Sequence, residues 1–282
     1  MPITKLTQQH PTQDGDGVNI SRIAAFHDLG LDPYLMIDEI KSDDASDYIG
    51  GFPAHPHRGI ETFTYIKKGG FEHRDQMGNV KPIRAGDIQW MSTGRGVIHS
   101  EMPLADAKDG MHGFQIWLNM PASQKMREPQ YFDSFDDGLP RLEIANNSRA
   151  IALAGEWTVN DFELVSPLQG LAGHAAIADI ELAPHEVAKV KLSSTTDSRT
   201  LVFCYVGSLQ DSMLYKGELG VASPDEDHVL HLHGGESGAQ LLLLRGTPIN
   251  EKIVHMGPFV MNTQAEIEQA IRDYRAGRFG TL

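Results

Sequence analysis

The sequence predicts an all-β fold, an antiparallel β-sandwich or β-barrel that occurs twice, with a short helix at the C-terminus. Three observations predict it. Short apolar runs are separated by Gly, Asp, Asn and Pro, which is typical of sandwiches and barrels. The second half of the chain repeats the pattern of the first. The last segment changes to the period of a helix.

The first half contains four clear candidate strands. They are the runs ETFTYI, DIQWMS, GVIHSEM and HGFQIWLNM, and the predicted turns are KKGG, QMGN and RAGD. In ETFTYI, Thr62, Thr64 and Ile66 alternate with Phe63 and Tyr65, and this period of two is typical of a strand. We expect the two faces of this strand to differ in their exposure to solvent.

The second half repeats these runs. TLVFCYVGS resembles TFTYIKKGG, KGELGV resembles RAGDIQ, and AQLLLLRGTP resembles GFQIWLNMP, at separations of about 125 to 140 residues. A polar, turn-rich segment, QYFDSFDDGLPRLEIANN, lies between the two halves. We therefore predict two domains, residues 1–140 and residues 141–282, each of a size usual for one domain.

The C-terminal helix is predicted from its caps and its apolar stripe. Thr263 can act as the N-cap, with Glu266 in the position that completes a capping box, and Gly277 is the predicted stop. The stripe consists of Ile267, Ala270, Ile271 and Tyr274. We expect the helix to pack on the face of a domain.

Composition narrows the class of protein. The single cysteine, Cys204, excludes a disulfide framework, and its apolar neighbours predict a buried, unreactive thiol. No run approaches the roughly 20 apolar residues of a membrane helix, and the N-terminal residues lack a signal core, so we expect a cytoplasmic protein. The net charge of −14 disfavours direct binding to nucleic acid.

Two segments carry pairs of metal-ligating side chains at strand spacing. HPHRGIETFTYIKKGG contains His55 and His57, and RAGDIQWMSTGRGVIHSEMP contains His99 and Glu101. Since residues i and i+2 of a strand point to the same face, each pair can direct two ligands at one point. The sequence therefore predicts a metal centre with three imidazoles and one carboxylate.

A His-x-His pair alone would be weak evidence for a metal. His231 and His233 form a second such pair, but no nearby residues complete a ligand set, so we interpret them as surface or strand-face histidines. The first pair differs because a second pair of ligands follows it at the same two-residue spacing.

These motifs resemble the pirin family of bicupin proteins. The matching runs are HPHRGIETFTYIKKGG, GDIQWMSTGRGVIHSEMP, DPYLMIDEIK and GPFVMNT. The resemblance implies two antiparallel β-barrel or jelly-roll cupin domains, with metal only in the N-terminal one. It implies His55, His57, His99 and Glu101 as the metal ligands. A general cupin takes its carboxylate shortly after the His-x-His pair, so Glu61 is the alternative carboxylate ligand.

The ligand types point to a reactive divalent metal. Three neutral imidazoles and one carboxylate leave an octahedral iron about two open positions. The set resembles the two-His, one-carboxylate centres of non-haem iron oxygenases and lacks the thiolates of structural zinc. Fe(2+) is therefore the predicted cofactor, while Mn, Ni, Cu and Zn also fit these ligands.

The resemblance also implies a function. Some pirins resemble quercetinases, which implies an iron-dependent enzyme like quercetin 2,3-dioxygenase that cleaves a flavonol with O2 and releases carbon monoxide. Glu101 would take the proton of the flavonol 3-hydroxyl. The alternative, as in some other pirins, is a metal-dependent redox-sensing regulator that binds a protein partner. A third hypothesis is a cupin whose metal only stabilises the fold.

Other polar residues near the motifs allow two interpretations each. His73 and Asp75 form a His-x-Asp pair that fits either the neighbourhood of the metal or a solvated strand face. Gln115 can either hydrogen-bond the substrate or an iron-bound water, or act as a paired core amide. Arg95, between two glycines, can orient an anion, although loop arginines are usually solvated.

Overall fold

The computed structural model describes residues 3–26, 30–192, 197–223 and 226–282 of the 282-residue chain. Most of these residues lie in strands. In chain order the strands are β1 (Ile3–Gln8), β2 (His10–Asp14), β3 (Val18–Ala24), β4 (Tyr34–Ser42), β5 (Phe52–His57), β6 (Ile60–Lys68), β7 (Gly70–Asp75), β8 (Val80–Arg84), β9 (Ile88–Ser92), β10 (Val97–Pro103), β11 (Met111–Asn119), β12 (Gln130–Ser134), β13 (Arg141–Glu143), β14 (Arg149–Ala154), β15 (Glu156–Val159), β16 (Phe162–Val165), β17 (Ala176–Leu182), β18 (Val187–Lys191), β19 (Arg199–Leu209), β20 (Leu214–Tyr215), β21 (Glu218–Ala222), β22 (Val229–Gly246), β23 (Val254–Met256) and β24 (Phe259–Met261).

Helical structure is sparse. The α-helix is α1 (Gln264–Arg275), and single 3₁₀ turns occur at Ala45–Asp47, Ala122–Gln124, Asp136–Gly138 and Ala172–His174. None of the helices in the described ranges is long and apolar enough to cross a membrane.

The chain forms two compact units, and neither is continuous in sequence. The first unit contains residues 10–26, 34–136 and 249–282. The second unit contains residues 3–9, 30–33, 137–192, 197–223 and 226–248. The domains predicted as 1–140 and 141–282 stay a prediction, and below we describe the two compact units.

The first unit has three antiparallel sheets. A seven-stranded sheet runs in the order β12-β9-β6-β11-β4-β3-β2, and a four-stranded sheet runs β5-β10-β7-β8. Strands β23 and β24 form a separate pair. Buried apolar side chains from both large sheets meet in one cluster: Val18, Ile20, Ile40, Tyr48, Ile66, Phe71, Ile83 and Met111. The two sheets therefore face each other across a shared core.

Strand β6 departs from the sequence prediction. Both of its faces are buried, since Thr62 and Thr64 are as inaccessible as Phe63 and Tyr65. The alternation is real, but it separates the two threonines from the two aromatic side chains and not an exposed face from a buried one. The expected difference in solvent exposure was wrong because a second layer of structure covers the threonine face as well.

The turn between β5 and β6 requires glycine. Gly59 has φ +81°, and a Cβ there would lie 2.1 Å from the carbonyl oxygen of Val260. Only a residue without a side chain allows this approach. The close contact holds β24 against the residues that follow His57.

Helix α1 forms where the sequence predicts it. Thr263 and Glu266 make a reciprocal capping box, and Gly277 follows the helix with φ +71°. The helix packs through Ile267 and Ala270 onto a buried cluster that includes Phe259 of β24. It thus belongs to the first unit.

The second unit repeats the strand arrangement of the first. β19 lies between β21 and β22, as β6 lies between β9 and β11. Its eleven-stranded sheet has the main order β1-β21-β19-β22-β17-β14-β13, with four further strands paired at its sides. Cys204 is fully buried there, and burial raises the pKa of its thiol to about 12. The predicted all-β, twofold architecture is confirmed.

Candidate metal centre

The predicted ligands lie on two neighbouring strands of the four-stranded sheet. His55 and His57 are on β5, and His99 and Glu101 are on β10. The strands pair antiparallel with His55 opposite His99, and the register shifts between His99 and Glu101. Because each pair has the two-residue spacing of a strand, all four side chains belong to one face of this sheet.

Three of the histidines converge closely. The ring centres of His55 and His99 are 4.3 Å apart, those of His55 and His57 are 4.8 Å apart, and those of His57 and His99 are 5.0 Å apart. One ring nitrogen from each of the three lies within 4.8 Å of the other two. Such a spread suits three imidazoles that share an ion.

Glu101 belongs to a second, overlapping group. One carboxylate oxygen of Glu101 and one ring nitrogen each of His73 and His99 also lie within 4.8 Å of one another. His99 is therefore common to both groups, and His73, which is on β7, joins the cluster. The set His55, His57, His99 and Glu101 remains a prediction as the complete ligand set.

The ring nitrogens fit metal coordination. His55 Nδ1 lies 2.7 Å from the carbonyl oxygen of Pro53, so this nitrogen donates and Nε2 is the one left to bind an ion. In contrast, both nitrogens of His99 and Nδ1 of His57 are buried without a hydrogen-bond partner among the described residues. Buried polar atoms are rarely left in this state, and a bound divalent metal would satisfy them.

Burial also sets the charge of the cluster. It lowers the pKa of His57 and His99 well below the usual value, and the neighbouring histidines lower the pKa of both further. Both rings are thus neutral, which is the form that binds metal. Burial raises the pKa of the Glu101 carboxyl. A nearby cation would favour the carboxylate form again.

Two residues from the facing sheet hold Glu101. Thr64 Oγ1 of β6 is 3.3 Å from Glu101 Oε1, and Gln115 Nε2 of β11 donates to Glu101 Oε2 at 3.3 Å. Thr64 Oγ1 and Gln115 Oε1 are 2.5 Å apart. Gln115 is therefore a core amide that orients Glu101. Thr64 was not predicted as a site residue, although a polar side chain that alternates with Phe63 and Tyr65 was the available signal.

His73 and Asp75 are buried, so the alternative of a solvated strand face was wrong. Their side chains are fully inaccessible, and His73 Nε2 lies 3.0 Å from Asp75 Oδ2. Asn79 also donates to the same carboxylate through its backbone and its side chain. Burial alone would raise the pKa of Asp75, but the hydrogen bonds from His73 and Asn79 outweigh it and lower that pKa.

Several candidates lie outside the cluster. Glu61 accepts hydrogen bonds from Trp90 and Arg127, and it is on the face of β6 opposite to Thr64. This position explains why neither donor group contains it. Arg95 is exposed and pairs with Glu128.

The second His-x-His pair is in the other unit. His231 and His233 are half-buried on β22, and His233 pairs with Asp211 at 2.7 Å. Neither residue belongs to a group of three donors in the described part of the chain. This agrees with the interpretation of strand-face histidines.

A small cavity adjoins Glu101. It has a volume of about 10 Å³ and is lined by Thr64, Gln115 and Glu101 together with apolar side chains that include Phe52, Phe71 and Phe114. This volume holds about one water molecule. A flavonol does not fit there, so a substrate of that size has to reach the cluster from another side. His55 is the least buried of the clustered histidines.

Comparison with known proteins agrees with this architecture. The family profile described as Pirin matches residues 18–118, and the profile described as Pirin C-terminal cupin domain matches residues 177–280. A Vibrio cholerae protein provisionally named quercetin 2,3-dioxygenase is 42% identical over 281 residues, which cover 99% of this chain and 98% of that protein. A pirin-like protein of Caulobacter vibrioides is 36% identical over 290 residues, with 99% of each chain covered.

The structural comparison gives the same result. The crystal structure of quercetin 2,3-dioxygenase from Acinetobacter baumannii matches with a TM-score of 0.86 and 28% identity, covering 99% of this chain and 97% of that one. Identity above a third over almost the whole chain, two matching family profiles and a shared fold lead to one conclusion. The chain belongs to the pirin family of bicupin proteins.

Proposed function

We propose that this protein is an iron-dependent cupin dioxygenase that cleaves a flavonol with O2, as quercetin 2,3-dioxygenase does. The observation that carries the proposal is the cluster of three histidines in which both ring nitrogens of His99 and Nδ1 of His57 are buried without a hydrogen-bond partner among the described residues. The names of the relatives from Vibrio and Acinetobacter support the reaction type. The overall reaction balances, since both oxygen atoms enter the cleaved product and one carbon leaves as carbon monoxide.

His55, His57, His99 and Glu101 would hold the metal. When bound, the ion supplies Lewis acidity and one-electron chemistry with O2. The neutral state of His57 and His99 supports this assignment, because no proton has to leave before these rings bind a cation. The carboxylate then lowers the net charge of the centre.

Glu101 is also the proposed base. Its carboxylate would accept the proton of the flavonol 3-hydroxyl, and the hydrogen bonds from Thr64 and Gln115 fix the direction of its oxygens. The flavonol would approach from the side of His55.

The test is oxygen consumption by the iron-loaded protein with quercetin, together with elemental analysis of the metal. We expect stoichiometric carbon monoxide and the loss of both metal and activity in His57→Ala. The matched control is His231→Ala, which removes a histidine of the other His-x-His pair and should keep both. Retained iron with no oxygen consumption would refute the dioxygenase and favour the redox-sensing regulator.

A further inference from the structure

His73 lies beside the proposed ligands without belonging to the predicted set. Strand β7 pairs with β10, which places His73 opposite Glu101 and Asp75 opposite His99. The ring centre of His73 is 5.4 Å from that of His99. The side chain of His73 is fully buried.

The hydrogen bonds of Asp75 decide which nitrogen of His73 carries the proton. Asp75 Oδ1 accepts from the backbone N–H groups of Met77 and Asn79, and Oδ2 accepts from the Asn79 side chain at 2.7 Å. His73 Nε2 lies 3.0 Å from Asp75 Oδ2, and since this carboxylate only accepts from its other neighbours, Nε2 is the ring nitrogen that donates to it. Nδ1 is therefore the His73 nitrogen that is left to bind an ion.

Other electron-pair donors lie close to the His73 ring. His73 Nδ1 is buried and has no hydrogen-bond partner among the described residues. A ring nitrogen of His73, one of His99 and an oxygen of Glu101 lie within 4.8 Å of one another. Ligands on opposite sides of one ion are about 4.2 Å apart. Small side-chain rotations would therefore bring all three onto a single cation.

We propose that His73 is a further ligand of the metal centre, bound through Nδ1, and that Asp75 positions its ring. This inference rests on the metal centre proposed above and extends it. With His73 and the four predicted ligands, an octahedral ion keeps one open position instead of two. A carboxylate hydrogen-bonded to the remote nitrogen of a ligating histidine is a common arrangement around protein metals.

A matched control exists in the same unit. His112 Nε2 on β11 pairs with Glu39 on β4 at 2.8 Å, and both side chains are buried. This second histidine–carboxylate pair belongs to neither donor group, and its other ring nitrogen is not among the buried nitrogens that lack a hydrogen-bond partner in the described residues. Loss of His112 should therefore perturb packing to a similar degree without changing the metal.

The experiment uses the full chain loaded with Co2+, read by visible absorption and by competition with a chelator. We expect His73→Ala to change the Co2+ bands and to weaken Co2+ binding by about tenfold or more, and Asp75→Asn to weaken it by about tenfold. His112→Ala should match the wild type. Added imidazole should restore the bands in His73→Ala and have no effect in His112→Ala.

Two results would overturn the inference. One is a His73→Ala protein whose Co2+ bands and affinity equal those of His112→Ala. The other is a wild-type protein that takes up no metal, which would also refute the proposed function. If His73→Ala fails to fold by circular dichroism, His73→Gln and Asp75→Asn serve instead. Flavonol turnover is independent of these readouts. If the wild-type protein does not turn over flavonol but His73→Ala still changes the Co2+ bands, only the dioxygenase is refuted.

Discussion

Replacing Asp273 with alanine should lower the free energy of unfolding of the first unit more than replacing any exposed residue of helix α1 does. The carboxylate of Asp273 accepts from Arg58 at 2.9 Å, from Gln269 at 2.7 Å and from Arg278 at 2.7 Å. The side chains of Arg58 and Asp273 are only 5% and 10% exposed. Arg58 directly follows His57, so this ion pair ties the histidine strand to α1.

The expected loss in free energy of unfolding comes from Arg58, which stays buried after Asp273 is removed. Removing one member of a buried ion pair typically costs about 3–5 kcal/mol, because the other charge stays buried and unpaired. Arg58 keeps two contacts, since its Nε donates to the Arg95 carbonyl at 2.6 Å and its guanidinium lies 4.6 Å from the centre of the Phe279 ring. We therefore expect about 3 kcal/mol, at the lower end of that range.

The assay is urea unfolding of Asp273→Ala followed by intrinsic fluorescence, with thermal unfolding as a second measurement. The control is Glu268→Ala on the same helix, where an exposed pair with Arg272 at 3.9 Å should contribute less than about 1 kcal/mol. Equal free energies of unfolding for the two variants would show that the buried pair does not anchor α1, and the reasoning would fail.

Three further predictions concern pH, the metal centre and a buried lysine. Burial alone would raise the pKa of Asp273, but the hydrogen bonds from Arg58 and Gln269 outweigh burial, and the pKa is lowered. The stabilisation by the Asp273 carboxylate is therefore present above about pH 4 and is lost as the pH falls through the pKa of the folded state. Asp273→Asn should accordingly flatten the loss of the urea midpoint between neutral and acidic pH. Gln115→Ala removes a donor to Glu101 and should lower flavonol turnover about tenfold while elemental analysis finds the metal retained. Lys125→Met leaves three buried oxygens without their donor and should cost about 3 kcal/mol or more in urea unfolding, whereas a cost under about 1 kcal/mol would contradict this.

The spacing of nearby residues was sufficient to predict the features that depend only on neighbours in sequence. The two-residue spacing of His55 and His57 gives both side chains one direction once the segment is a strand. The capping box of Thr263 likewise depends on four consecutive residues and is present as predicted. The ligand-poor second half was predicted from the same kind of pattern.

The solvent exposure of a side chain and its contacts were harder to predict, because they depend on strands that are distant in sequence. The two faces of β6 were expected to differ in exposure to solvent, but both are buried, and Thr64 meets Glu101 from the facing sheet. The choice between Glu61 and Glu101 as the carboxylate also depends on which face of β6 is turned toward the histidines. No local periodicity carries this information.

The sequence by itself determined the strands, the cap of α1, the repeat and the two pairs of donors, because each is a regular spacing along a few consecutive residues. Only the tertiary structure decided that β7 lies beside β10, so that His73 and Asp75 join His99 and Glu101 in a buried cluster. Pairing between strands separated by more than twenty residues is selected by packing of the whole unit, and the chemistry of this centre depends on that pairing.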